Sequence, residues 1–328
     1  MTASGFFLHP SSPLHDTGWN HPEHQGRMRA LASTVGKDML TLHGHVGQFE
    51  PGVASEDDVL RVHSAGHLAQ VRRACRMAAE RETVVSLDDP DTKVSSASWE
   101  AALGSAGAGI EAARSVVEGR IRNAFVATRP PGHHATPDRP MGFCLFNNAA
   151  VTARWLQAEG HAERVLIVDW DVHHGNGTQD VFYDDQDVFY LSLHQAPHYP
   201  GSGAASERGS GDGEGTTLNV PLPAGTSRRD YRTAFDRALE DVTNGFHPDF
   251  VLVSAGFDVM AGDPLGGMLL EPDDLHAMTR RLVDIAEEGC GGRMVTFLEG
   301  GYVPKRLGEG AVAVIRALAD LEVPQEVP

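Results

Sequence analysis

The chain has 328 residues, with 45 acidic against 27 basic side chains and a formal charge of −18. That excess of acid excludes a binder of nucleic acid or of an anionic membrane surface, since both need a basic face. Hydrophobic residues at 41% and charged residues at 22% are ordinary for a folded globule and exclude wholesale disorder.

In chain order, Gly5–Leu8 is the first strand candidate. Helical spacing follows over Ser64–Glu80 and Ser96–Glu118. Asn123–Thr128 (NAFVAT) is a strand, and Asn147–Gly160 a helix. Two strands come next, Arg164–Asp169 (RVLIVD) and Val188–Leu193 (VFYLSL). A turn-rich loop runs from Gln195 to Thr216, and Thr217–Val220 is a further strand. The remainder alternates: helix Arg228–Thr243, strand Phe250–Ala255 (FVLVSA), helix Asp273–Gly289, strand Arg293–Leu298 (RMVTFL), helix Leu307–Asp320. Several strands are near-continuous apolar runs, the mark of strands buried on both faces. Strand alternating with helix predicts an α/β fold with a parallel sheet.

No repeat, low-complexity run or break in composition divides the chain, so a single domain over residues 1–328 is expected. Three scattered cysteines, Cys75, Cys144 and Cys290, suit neither a disulfide framework nor a cysteine zinc site. The opening MTASGFFLHPSSPLHD lacks a basic stretch followed by a long apolar one, so no signal peptide is expected. No run approaches the ~18 apolar residues of a membrane span. A cytoplasmic protein is the expectation.

Polar clusters follow directly after five strand candidates: RPPGHH after NAFVAT, DWDVHHGN from the end of RVLIVD, His194 after VFYLSL, Asp258 after FVLVSAGF, and EGGY after RMVTFL. In an open parallel sheet the ligand crevice lies outside the carboxyl ends of the strands. Residues two apart at a strand end share a side, so Asp169, Asp171 and His173 can project together. Asp171, His173 and Asp258 would make a three-ligand divalent-metal site with an open position for water. Two carboxylates and one imidazole leave Zn2+, Fe2+ and Mn2+ open as the metal. Capping of the next helix is the plainer alternative. His133 and His134 follow a stiff Pro-Pro-Gly and offer a base near neutral pH. Asp169 and Asn176 are the nearest acceptors to orient those imidazoles. Two glycines before Tyr302 would let its hydroxyl reach a developing oxyanion, where packing is the alternative. Phe143 and Tyr199 lie in loops beside these clusters and could wall a channel for an aliphatic chain.

RPPGHHA, GFCLFNN, VLIVDWDVHHGNGTQ, SAGFD with GDPLGG, and LEGGY together resemble the zinc-dependent histone deacetylase superfamily. The DWDVHHGNGTQ form is similar to its class II branch and bacterial relatives, including histone deacetylase-like amidohydrolases and acetylpolyamine amidohydrolases. The match runs from about residue 20 to 315, with motifs in family order. The resemblance implies the arginase–deacetylase fold, a central mostly parallel sheet with helices on both faces. It implies hydrolysis of an acetyl-lysine amide in a peptide or protein, or of an acetylated polyamine, releasing acetate.

By the same resemblance, Asp171, His173 and Asp258 are the zinc ligands. His134, backed by Asn176, is general base and then acid, His133 is its partner paired with Asp169, and Tyr302 polarises the carbonyl. The Gly142 carbonyl accepts from the substrate amide, Phe143 and Tyr199 flank the lysine methylenes, and Asp91 and Leu265 stand on the rim. A structural K+ would sit on the Asp169 side chain and the carbonyls of Asp171, His173, Ser192 and Leu193. A second would use carbonyls near Phe182, Asp185 and Val188. The family's usual aromatic at position 199 is phenylalanine, so Tyr199 makes that wall more polar. A binuclear arginase-like site is disfavoured, because Gly175 and Met260 stand where the second metal needs carboxylates. A module that binds acetyl-lysine without turning it over is disfavoured by the complete catalytic set. A homo-oligomer remains open.

Overall fold

The apolar runs form strands that alternate their side chains between two separate interiors. A computed structural model describes residues 3–323, so residues 1–2 and 324–328 of the expected single domain lie outside the described residues. In chain order the elements are β1 (Ser4–Phe7), α1 (Gly26–Leu42), β2 (Val46–Phe49), α2 (Glu56–Leu60), α3 (Ala65–Arg81), β3 (Val85–Ser86), β4 (Lys93–Val94), α4 (Ser98–Val117), β5 (Asn123–Val126), α5 (Asn148–Ala158), β6 (Val165–Asp169), α6 (Asn176–Phe182), β7 (Val188–Gln195), β8 (Thr217–Leu222), α7 (Arg228–Thr243), β9 (Phe250–Ala255), α8 (Pro272–Cys290), β10 (Met294–Leu298) and α9 (Pro304–Leu318). Among the described residues no helix is long and apolar enough to cross a membrane.

Eight strands make one sheet in the order β2-β1-β5-β10-β9-β6-β7-β8, every pair parallel. β3 and β4 form a separate antiparallel ribbon. The central strands are buried on both faces, as their continuous apolar sequences require. Val251, Val253 and Ala255 of β9 join Leu166 and Val168 of β6 in one core, beneath α1, α7, α8 and α9. Phe250 and Leu252 join Val165 and Ile167 in the other, beneath α3, α4 and α5. This alternation fixes register, since a one-residue slip would exchange the two interiors. At roughly 1.5–3 kcal/mol for each large side chain removed from water, these two layers dominate stability.

Caps set several boundaries. Ser64 caps α3 through its side chain to the His67 N–H, and Ser227 caps α7 through the Asp230 N–H. The expected order of strand and helix is present with ends shifted by a few residues. Six elements absent from the sequence expectation are α1, β2, α2, β3, β4 and α6. One expectation needs correction: β7 continues through Gln195 rather than ending at Leu193. His194 is therefore a buried strand residue, bonded to Ser192 Oγ at 2.9 Å and to the Gly203 carbonyl at 3.0 Å. Polar clusters reach the site from four strands, not five.

Candidate active site

Those four strands, β5, β10, β9 and β6, are neighbours in the middle of the sheet. Their carboxyl ends open onto one cavity of about 500 Å3. His134, Gly142, Phe143, His173, Tyr199, Leu265, Tyr302, Asp89 and Asp91 are among the residues that line it.

Asp171 and His173 follow the end of β6, and Asp258 follows β9. Ligand atoms of these three buried residues lie within 4.8 Å of one another. His173 Nδ1 is 3.0 Å from Asp171 Oδ1 and 3.4 Å from Asp258 Oδ2. Asp171 Oδ2 accepts from the Gly300 N–H at 2.8 Å, and Asp258 Oδ1 from the Val172 N–H at 3.0 Å. Among the described residues no group hydrogen-bonds to the buried Asp258 Oδ2, and the His173 contact at 3.4 Å falls short of a bond. Burial and the adjacent Asp171 carboxylate raise Asp258 to about 7. Burial opposes a charge on His173, yet the adjoining Asp171 and Asp258 carboxylates lift it to about 10. This cluster is a negative field in search of a cation, and it can hold a divalent metal. A Cβ on Gly300 would fall 2.0 Å from Asp258 Oδ2 and 2.7 Å from Asp171 Oδ2, so only glycine lets the backbone pass beneath the carboxylates.

The paired histidines stand beside this cluster. His134 Nδ1 lies 2.9 Å from Asn176 Oδ1. The amide oxygen accepts, so Nδ1 carries the hydrogen and Nε2 is the basic nitrogen. His133 Nδ1 donates to Asp169 Oδ2 at 3.0 Å, and Tyr190 OH donates to the same oxygen at 3.0 Å. Burial works against a charge on His133, but Asp169 and Asp171 outweigh it and carry the imidazole up to about 10. Burial and the charge on His133 push His134 well below the ordinary histidine range. Two adjacent imidazoles are thereby separated into a cation and a neutral base. The expected partners, Asp169 and Asn176, are the ones observed.

Glu299 directly follows β10 and ties these loops together. Its Oε2 accepts from the N–H groups of Gly132 at 2.7 Å and His133 at 3.2 Å, and its Oε1 accepts from Ser254 Oγ at 3.0 Å. Tyr302 lines the cavity with its ring edge-on to Phe143, centroids 5.9 Å apart. Burial pushes its hydroxyl well above the ordinary phenol range, so it remains a proton-bearing donor. Its backbone N–H donates to Asp263 Oδ2 at 2.7 Å.

Phe143 and Tyr199 face the cavity as expected. Phe143 adopts φ +69°, costly for an aromatic residue and often a sign of a functional constraint. Gly142 (φ +57°) precedes it, and a Cβ there would strike the His134 ring at 2.4 Å. The bend is held from outside: Gly142 N–H donates to Asp89 Oδ2 at 2.8 Å, and Phe143 N–H to Thr92 Oγ1 at 3.0 Å. Asp89, not singled out in the sequence, thus braces the wall beside the expected Asp91. Asp91 itself lines the cavity, and its carbonyl accepts from His21 Nε2 at 2.8 Å. The turn DDPDT offered three carboxylates with nothing to tell which meets the Gly142 backbone.

Sequence reasoning also missed a buried ion group. Glu23 Oε1 accepts from Arg27 Nη1 and Arg129 Nε, each at 2.8 Å, with all three side chains fully buried. Arg27 donates further to the carbonyls of Gly301 at 2.7 Å and Glu299 at 2.6 Å. The group fixes the backbone that delivers Tyr302. Of the expected potassium positions, Asp169 pairs with Ser192 in the β6–β7 register and Leu193 follows it. Phe182, Asp185 and Val188 lie around the end of α6 and the start of β7. The carbonyls of Phe182 and Asp185 already accept from Asp185 N–H at 3.1 Å and Thr216 Oγ1 at 3.0 Å.

The sequence profile of the histone deacetylase domain matches residues 21–318. Histone deacetylase 10, chloroplastic, of Oryza sativa subsp. japonica is 41% identical over 90% of this chain and 69% of its own length. A probable deacetylase of Archaeoglobus fulgidus is 38% identical over 98% of this chain and 87% of its own. The histone deacetylase-like amidohydrolase of Pseudomonas aeruginosa is 39% identical over 91% and 76%. The crystal structure of the HDA15 HD domain superposes with a TM-score of 0.90 at 38% identity, covering 100% of this chain and 91% of that one.

Proposed function

This chain belongs to the histone deacetylase family, and on that footing we propose that it removes acetyl or related acyl groups from lysine side chains of peptides or proteins with the help of a zinc ion. It has the arginase–deacetylase fold and is a deacetylase, a hydrolase of amide bonds. The observation that carries the metal reading is the buried Asp171–His173–Asp258 set with the Asp258 Oδ2 orphan. A buried acceptor with no partner is costly, and a cation satisfies it. Zn2+ suits the set, and Fe2+ or Mn2+ would also be accepted.

A divalent ion held there would act as a Lewis acid on water and on the acyl carbonyl. The protein's own groups do the rest. His134 is kept neutral by burial and by its cationic neighbour, so Nε2 takes a proton from the attacking water. The same nitrogen then returns that proton to the departing amine. Asn176 keeps the tautomer correct for both steps. The Tyr302 hydroxyl donates to the carbonyl oxygen as negative charge grows there. Phe143 and Tyr199 exclude water from the methylenes, and the Gly142 carbonyl accepts from the amide nitrogen. Asp169, with the carbonyls of Asp171, His173, Ser192 and Leu193, would hold a structural K+, and the carbonyls near Phe182, Asp185 and Val188 a second.

Acetylated polyamines are the second reading, favoured by the Asp89 and Asp91 carboxylates on a rim that no lysine or arginine lines among the described residues. One zinc-loaded preparation decides, through kcat/KM on an acetyl-lysine peptide and on an N-acetylated diamine. A preference of about tenfold for the peptide supports the first reading, and the same margin for the diamine supports the second. Absence of chelator-sensitive turnover on both refutes the deacetylase reading of the site.

A further inference from the structure

Among the residues lining the cavity, His198 has a role that the assignments above leave unused. Its ring stacks on His173 with centroids 4.9 Å apart and planes 15° apart. Its Nε2 lies 2.8 Å from the Leu265 carbonyl oxygen. A carbonyl only accepts, so Nε2 carries the hydrogen, and in the neutral ring Nδ1 is the acceptor. Among the described residues no protein group bonds to Nδ1, and the ring lines the cavity.

The imidazole is also held against rotation. Leu265 belongs to a segment fastened at several points. The Asp263 carboxylate accepts from Leu265 N–H at 2.9 Å and from Tyr302 N–H at 2.7 Å. Gln195 Oε1 accepts from Gly267 N–H at 2.7 Å. With one face against His173 and one nitrogen committed to Leu265, His198 presents a fixed acceptor at the wall. The other rim acceptors, Asp89 and Asp91, are carboxylates, and no lysine or arginine lines the cavity to donate to Nδ1.

We propose that His198 is a specificity-determining residue whose Nδ1 accepts an N–H of the substrate beyond the acylated chain. This inference rests on the deacetylase reading above. The donor is either the backbone amide of a polypeptide or the ammonium of an acylated diamine. The two are separated by substrate pairs in which one member lacks that donor. The first pair is an acetyl-lysine peptide and the same peptide methylated on the lysine backbone nitrogen. The second is N-acetyl-1,4-diaminobutane and N-butylacetamide.

Values of kcat/KM are compared for the zinc-loaded wild type, His198→Phe and His198→Gln. Phenylalanine keeps the stacked ring and loses both nitrogens; glutamine restores a donor and an acceptor without the ring. The ratio within a pair cancels any general effect on His173. We expect His198→Phe to lose up to about tenfold of the preference for the donor-bearing member of one pair, and His198→Gln to recover part of it. Loss confined to the peptide pair identifies a backbone amide, and loss confined to the amine pair identifies an ammonium. Equal losses on both members of both pairs, or no loss at all, would overturn the proposal and leave His198 as a prop for His173. A wild type that hydrolyses none of the four compounds refutes the deacetylase reading itself.

Discussion

Replacing Glu23 by glutamine tests whether a buried charge holds up the floor beneath Tyr302. Glu23, Arg27 and Arg129 are all fully buried, and one carboxylate oxygen serves both guanidinium groups at 2.8 Å. Glutamine keeps an oxygen at that point, and the arginines keep their bonds to the carbonyls of Gly301, Glu299, Ser12 and His15. What disappears is the negative charge, leaving two buried cations without a counter-ion. Breaking a buried pair in this way costs about 3–5 kcal/mol. With an unfolding entropy of about 2.1 cal/mol/K per residue, that cost lowers Tm by roughly 4–7 °C for a chain of this length. Thermal and urea unfolding at pH 7.5 measure it. Glu118→Gln is the control: Arg120 meets Glu118 at the same kind of distance, 2.7 Å, but with both side chains at least 41% exposed. That change should fall within about 1 kcal/mol. A Glu23→Gln loss no larger than the control would refute the reasoning, since the carbonyls alone would then suffice for both cations.

Tyr302→Phe removes the oxyanion donor and should lower kcat by about 10²–10³ while leaving KM within a few fold, read from steady-state kinetics. A loss confined to KM would remove Tyr302 from that role. Gly300→Ala drives a methyl onto Asp258 Oδ2 and Asp171 Oδ2, so purified protein should carry much less than one zinc per chain while its far-ultraviolet circular dichroism is unchanged. Full zinc occupancy in that variant would contradict the ligand assignment. Burial holds His63 and His15 at about 3, against an ordinary 6.5, so both stay neutral in the folded state. Above pH 6.5 neither state is protonated and stability is unaffected. Below it the unfolded chain binds protons that the native state refuses, and each histidine removes about 1.4 kcal/mol per pH unit, down to about pH 3. Glutamine at position 63 can still donate to the Thr136 carbonyl and accept from Asn147 N–H, so His63→Gln should flatten the fall in urea stability between pH 6.5 and 5.5 by about 1 kcal/mol. An unchanged slope would mean that His63 titrates normally.

The central strands were legible because both of their faces are dry, which writes continuous apolar runs such as VLIVD and FVLVSA. The metal cluster was legible because it begins two or three residues beyond those runs, where the two-residue spacing of Asp171 and His173 follows directly on the strand's own period. The missed elements lack such signals. α1 has no side-chain cap and spreads its buried residues Met28, Leu31, Val35 and Leu42 among polar ones. β2 is four residues long and only half-buried. His194 misled because a histidine after an apolar run reads as a strand end, whereas this one satisfies both nitrogens inside the sheet. Glu23 and Arg27 are four residues apart, but Arg129 is 106 residues from Glu23, and only the fold brings it to them.

The connections that leave the sheet carry two kinds of residue into the cavity. Asp171 and His173 stand two and four residues beyond the end of β6, and Asp258 three beyond β9. Such short leashes tie the reacting groups to the most rigid part of the molecule. Leu265 stands ten residues beyond β9, and His198 and Tyr199, though only three and four beyond β7, open the 21-residue connection to β8. Lengthening or exchanging those connections would reshape the entrance while the ligands stayed where the sheet holds them. A single scaffold can therefore keep its chemistry and change its clientele, and substrate range in relatives of this protein should drift with the loops after β7 and β9 while the strand ends stay constant.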